Sequence, residues 1–207
     1  MKLDVNPTRM ELLRLRKRVV LARRGHKLLK DKQDELLRQL MELVKVVADL
    51  RKIVEKRLQE SSQRFLLARA SMDPESLEEA LLIPAKKLSV AVRKRNLMSV
   101  RVPVFERSVS GEIHSYGFAN TSGELDVSLV SLDEVLDELL SLSEKEKTLF
   151  MLAAEVDKTR RRVNALEYIL IPSLDETIRN ITMKLAEMER GNVVRLMRVK
   201  EVVRKKR

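Results

Sequence analysis

Cysteine and tryptophan are absent from this chain, aromatic residues make up 3% of it, and glycine and proline occur five times each. Without thiols there can be no disulfide and no thiolate metal site, which suits a reducing compartment. With 35% charged residues and so few aromatics, a compact globular core is poorly supplied, and an elongated helical protein fits better. No apolar run reaches the roughly 18 residues of a membrane-spanning helix, and Met1 to Met10 lacks the apolar stretch of a secretory signal, so a cytoplasmic protein is expected. The two histidines, His26 and His114, give no support to a metal site. None of the five glycines is followed by Lys-Ser or Lys-Thr in the phosphate-loop pattern. Acidic pairs such as Glu78-Glu79, Asp133-Glu134 and Asp137-Glu138 read as helix surface, so neither catalysis nor a cofactor is expected.

What the chain does have is a repeat of seven. Leu15, Ala22, Leu29, Leu36, Leu43 and Leu50 recur at that spacing, with Leu12, Val19, Leu40, Val47 and Val54 between them. This narrow stripe is a coiled-coil seam, and it needs a long partner. Asn6-Pro7-Thr8 followed by Glu11 is a helix start with a capping box, and no proline follows until Pro74. A helix over 8–69 would be roughly 93 Å long at 1.5 Å per residue. The second stripe supplies the partner: Leu149, Val156, Val163, Leu166, Leu170, Leu174, Ile178, Ile181, Leu185 and Met188. Ser131 and Ser143, each with glutamate three residues on, are read as the starts of a short and then a long helix.

Between the stripes the pattern changes. Asp73-Pro74 should cap and open a short helix limited by Pro84. Val90, Val92, Val100, Val102 and Val104 alternate, Ser110-Gly111-Glu112 follows, and Ile113 to Ala119 contains Tyr116 and Phe118, together a β-hairpin signature with Pro103 at an edge or bulge. The fold class expected is therefore mainly α: a long antiparallel two-helix coiled coil with a middle insert of short helices and a β-hairpin. Residues 1–70 form the N-terminal coiled-coil helix, 71–142 the insert with its hairpin at about 88–120, and 143–207 the C-terminal coiled-coil helix.

The net charge of +11 is unevenly distributed: residues 1–30 carry +8, 190–207 carry +7, and the rest carry −4. In an antiparallel pair both basic ends meet at one tip, and an acidic or hydrogen-bonding socket should receive it. Arg9, Met10, Arg14, Lys17, Arg24, Arg195, Arg198 and Arg204 are the candidate contact residues of that tip. His26 and Gln33 fall on seam positions, where buried polar groups fix register at a cost in stability. Pro172 sits inside the second helix, where it removes one backbone bond and crowds the carbonyl of Tyr168, at about 3 kcal/mol if unrelieved. The four-residue steps Leu166, Leu170, Leu174 and Ile178 around it are a stutter, and a functional bend is expected. Gly25 and Gly191 should lie opposite each other if the tips align.

The segment Asn6 to Leu36, NPTRMELLRLRKRVVLARRGHKLLKDKQDEL, resembles the N-terminal signature of the D-subunit family of V/A-type ATPases and ATP synthases. Lys158 to Ile181, KTRRRVNALEYILIPSLDETIRNI, resembles its C-terminal signature, and Asn96 to Pro103, NLMSVRVP, its hairpin region. The resemblance implies a non-catalytic central-stalk rotor shaft whose tip enters the hexamer of catalytic and regulatory subunits. It further implies a small central-stalk partner, the F subunit, docked on the shaft, and a funnel-like subunit of the membrane rotor ring at the other end. Contact with the membrane would come only through the complex, as a cytoplasmic peripheral part. The hairpin, with Val100, Val102, Val104 and Tyr116, would contact the small partner, modulate ATPase activity, or merely cap the coil. The rival readings are a basic coiled-coil nucleic-acid binder and a structural tether; no nucleic acid is expected as partner.

Overall fold

A computed structural model describes residues 5–117 and 121–205. In chain order the elements are α1 (Arg9–Ser71), α2 (Pro74–Leu82), β1 (Lys87–Leu97), β2 (Val100–Ser110), α3 (Gly123–Asn164), a π-helical segment (Ala165–Leu170) and α4 (Ile171–Lys205). The fold is mainly helical, with long N- and C-terminal helices packed together and one two-stranded antiparallel hairpin between them. The start of α1 is the one written in the sequence: Thr8 Oγ1 accepts the backbone N–H of Glu11 at 3.2 Å, satisfying one of the orphan donors of the first turn. The chain divides into two compact units, 1–35 with 156–207, and 36–155.

In the first unit Leu12, Leu15 and Val19 of α1 bury themselves against Leu174 and Ile181 of α4, with Leu170, Ile178 and Leu185 half-covered beside them. Each fully buried aliphatic side chain contributes about 1.5–3 kcal/mol of transfer free energy, which is what holds two otherwise water-loving helices together. Arg9 pairs with Glu189 and Arg23 with Asp175. Fourteen residues forward in α1 thus match fourteen backward in α4, two heptads in antiparallel register. That register overturns the expected glycine pairing. Gly25 lies near the level of Pro172 and Ser173, whereas Gly191 lies beyond the start of α1, and a Cβ on either would meet nothing within 4 Å.

In the second unit Leu36 and Val54 continue the α1 seam, and Leu125, Val135, Leu142 and Leu152 line the inner face of α3. Leu29, Leu43 and Leu50 are half-buried along the same seam of α1. Arg51 reaches Glu146 and Arg57 reaches Glu138 across the pair. Where leucines would hold the helices apart, serines bring them close: Ser61 and Ser128 are buried, and Ser131 Oγ lies 3.3 Å from Ser61 Oγ while donating to the Ser128 carbonyl. α2 opens with Pro74 at its first turn as expected, but the Asp73 side chain makes no cap, and only its carbonyl accepts the Leu77 N–H. Ala68, Leu77, Ala80 and Leu125 form a small core closing this end, with Phe65, Met72, Tyr116 and Leu129 packed on it.

Two expectations are corrected. The helix read as starting at Ser143 begins at Gly123 and runs on without a break, so Ser131 and Ser143 are interior residues. A capping box needs free N–H groups at its third position, and inside a continuing helix those are already bonded. Ser122 is the real cap: its Oγ accepts the Glu124 N–H at 3.3 Å and its carbonyl the Leu125 N–H. The hairpin turn is at Met98-Ser99, with φ of 50° and 72°, the two left-handed residues of a two-residue turn. It is not at Ser110-Gly111-Glu112. Ile113 to Gly117 form no strand, and Phe118, Ala119 and Asn120 lie outside the described residues. Tyr116, expected in the hairpin, instead anchors the following loop, donating from its hydroxyl to Asp126. Burial pushes that phenol above its ordinary range, and the acceptor carboxylate adds to the effect.

Candidate functional site

Past its last contact with α1, α4 continues alone among the described residues. Every residue from Ala186 to Arg204 is exposed, including Val193, Val194, Leu196, Met197, Val199, Val202 and Val203. From Arg190 to Arg204 this is fifteen residues, about 22 Å of single helix. Its apolar side chains are interspersed with Arg190, Arg195, Arg198, Lys200 and Arg204 against one acidic residue, Glu201. Seven apolar side chains left exposed on one stretch of helix mark it as a surface for a partner.

The eight residues assigned to a tip do not converge. Arg195, Arg198 and Arg204 stand exposed on the projecting helix, and Met10 is 82% exposed at the start of α1. Arg9 is tied to Glu189 and Arg14 to Glu11, while Lys17 is exposed. Arg24 lies near the level of Leu174, so the set is spread over about 45 Å along the first unit. Matching helix lengths alone places both ends together; in the register set by the Arg9–Glu189 pair, α4 runs on sixteen residues past the start of α1.

The proline is accommodated by a π turn. Between Ala165 and Leu170 the backbone bonds skip one residue further, and the Ile171 N–H reaches the Leu166 carbonyl. Adding one residue to the turn moves the Tyr168 carbonyl away from the Pro172 ring, so the clash of an ideal α-helix is relieved. Compared with an uninterrupted α-helix, it shifts the residues downstream by about 100°. The buried set keeps its heptad spacing through the turn, with Thr159 and Val163 before it and Ser173 and Thr177 fourteen residues further on. The expected stutter is therefore a π insertion. Opposite it, His26 Nε2 lies 3.2 Å from Glu167 Oε2, and His26 is half-buried. Gln33 is also half-buried in the seam.

Sequence reasoning missed the hydroxyls of the second stripe, which took Ile178 as the seam residue where Thr177 is the one fully covered. Thr177 Oγ1 donates to the Ser173 carbonyl at 2.7 Å and Ser173 Oγ to the Leu170 carbonyl at 2.9 Å, so both are buried with their donors satisfied. The signal was a Ser/Thr spacing of four within the stripe.

The hairpin is moored to α3 by charge. Lys86 and Arg107 both contact Asp133, Arg107 also contacts Asp137, and the Phe105 N–H donates to Glu144 Oε2 at 2.9 Å. Lys86, donating to Asp133, holds that carboxyl below the usual carboxylate range, with Arg107 reinforcing it. Asp133 and Asp137 are thus mooring groups rather than plain helix surface. Val100 and Val102 are buried and Val104 half-buried, while nearer the root the inward face passes to Phe105 and Arg107, as the twist of a two-stranded ribbon requires.

The fold and these surfaces define an antiparallel helical coiled-coil protein with a hairpin moored to α3 and an exposed helical end. The chain belongs to the family of the ATP synthase D subunit, whose pattern it matches over residues 11–201. Among its relatives, the V-type ATP synthase D subunit of Acetivibrio thermocellus is 54% identical over 203 residues, covering 96% of this chain and 91% of that protein. Those of Clostridium botulinum strain Langeland and Fusobacterium nucleatum are 54% and 53% identical, each covering at least 99% of this chain and 98% of the relative. Among the described residues, no helix is long and apolar enough to cross a membrane.

Proposed function

We propose that this chain is the central shaft of a V/A-type rotary ATPase or ATP synthase, carrying torque between the nucleotide-processing hexamer and the ion-translocating rotor ring. It is non-catalytic in this role, binds no nucleotide and no cofactor, and reaches the membrane only through the complex, on its cytoplasmic side. The observation that carries the reading is the projecting end of α4, exposed from Ala186 to Arg204 and carrying, from Arg190 on, seven exposed apolar side chains among five cations. Such a helix fits an apolar sleeve lined with acidic or hydrogen-bonding groups, which the hexamer would supply. The ring-side end would meet the funnel-like subunit, and the small F subunit would dock along the coil. The π turn and the His26 and Gln33 seam positions set register in such a shaft, and the phase change at Pro172 makes its two ends inequivalent in rotation.

The absence of native cysteine gives a clean test. Met197→Cys, linked through a reducible cross-linker to the hexamer in the assembled complex, should stop sustained ATP turnover, and reduction should restore it. Undiminished turnover in the cross-linked complex would leave only a static tether.

A further inference from the structure

The two edges of the hairpin differ. Leu97 and Val100 close a two-residue turn, so the pairs Lys94–Pro103 and Val92–Phe105 are the non-hydrogen-bonded ones, and their amide positions face outward. On β2 that outer edge is closed: Pro103 has no N–H to offer, and the Phe105 N–H is taken by Glu144. On β1 the corresponding edge carries the outward N–H and C=O groups of Val90, Val92 and Lys94, and among the described residues nothing pairs with them. β1 is exposed along its length from Lys87 to Asn96. An open edge of this length is a template for another strand.

Charge selects the strand. The hairpin from Lys87 to Ser110 carries six basic residues and one acidic, Glu106. Arg93 is paired with Glu106 and Arg107 with the α3 carboxylates. Lys87, Lys94, Arg95 and Arg101 are exposed and have no partner among the described residues. Cations along an edge repel a second copy of the same strand, so self-pairing is disfavoured while an acidic strand is attracted. Leu88, Val90 and Val92 alternate on one face and are 38–58% exposed, offering apolar contact at every second position.

We infer that the β1 edge is a docking site for an extended acidic segment of a partner protein, which adds to the hairpin as a third strand beside β1. This does not rest on the shaft reading, because the surface exists in the chain by itself. The test uses the full chain and a fluorescein-labelled nine-residue peptide alternating glutamate and valine, read by fluorescence anisotropy. Binding should be at least tenfold tighter than for the matching lysine–valine peptide, and Lys94→Glu with Arg95→Glu should weaken it at least tenfold. Methylating the alternate backbone nitrogens on one edge of the peptide should abolish binding, and methylating those on the other edge should leave it. Equal binding of both methylated peptides would mean attraction by charge alone and overturn the inference. So would tighter binding of a nine-nucleotide single strand, or pairing of the chain with a second copy through β1. A separate variant, Val92→Pro, removes one outward N–H; unchanged affinity in a variant with unaltered far-ultraviolet circular dichroism would likewise refute edge pairing.

Discussion

Deleting Ile169 tests the π turn as the device that sets the phase of α4. The residue is 62% exposed and lies within Ala165–Leu170, so its own side chain contributes little. What the deletion removes is the extra residue of the turn. The segment then either closes into regular α-helix with the phase of α4 kept, or retains the π spacing and turns α4 by about 100°. In the first case the Pro172 ring is put back against a carbonyl, at about 3 kcal/mol. In the second, Leu174 and Ile181, at 0% and 3% exposure, leave the interface with Leu12, Leu15 and Val19. At about 1.5–3 kcal/mol for each buried aliphatic side chain, that loss is about 3–6 kcal/mol. Either cost is a large share of a domain stability of about 5–15 kcal/mol. Urea titration followed by circular dichroism at 222 nm, beside a control deletion of Val199 on the projecting helix, measures it. A cost for the Ile169 deletion no larger than that of the control, within about 0.5 kcal/mol, would refute the assignment of the π turn as the element that accommodates Pro172 and holds the phase of α4.

Gly111→Ala should destabilise the hairpin root by about 1–3 kcal/mol, because its φ of 90° suits glycine and a Cβ there would stand 2.1 Å from the Ala85 carbonyl oxygen; thermal melting checks this. Asp133 has a depressed pKa in the folded chain, so its contribution is present above the ordinary carboxylate pKa and is lost as pH falls through the depressed value. Protection of the β2 amides, taken relative to the intrinsic exchange rate at each pH, should therefore fall at acid pH, and Asp133→Asn should cost about 1–3 kcal/mol and remove that pH dependence. Arg23→Ala with Asp175→Ala, by contrast, should show a coupling of no more than about 0.5 kcal/mol in a double-mutant cycle, since both side chains are largely exposed.

The α1 seam was legible residue by residue because a heptad of leucine and valine specifies one face of one helix, and Leu15, Leu36 and Val54 lie where the period puts them. The second stripe was legible as a stripe but not in its details. Thr177 and Ser173 satisfy their hydroxyls on their own helix, so they pass as core where hydropathy counts them polar. Ser143 was misread since the same four-residue pattern that caps a helix occurs inside one. The hairpin turn was misplaced because Met98-Ser99 contains no glycine or asparagine, while Gly111 offered the familiar signal at the wrong place. The spread of the basic residues depended on register, which the ion pairs of Arg9 and Arg23 fix and composition does not.

Rotation is the property to measure. In the assembled complex, with the hexamer fixed to a surface and a bead attached through a single cysteine introduced by Arg101→Cys in the exposed hairpin, addition of ATP should drive continuous rotation in one direction. A bead that stays still while the same complexes hydrolyse ATP at the full rate would contradict the assignment of this chain as a torque-bearing shaft.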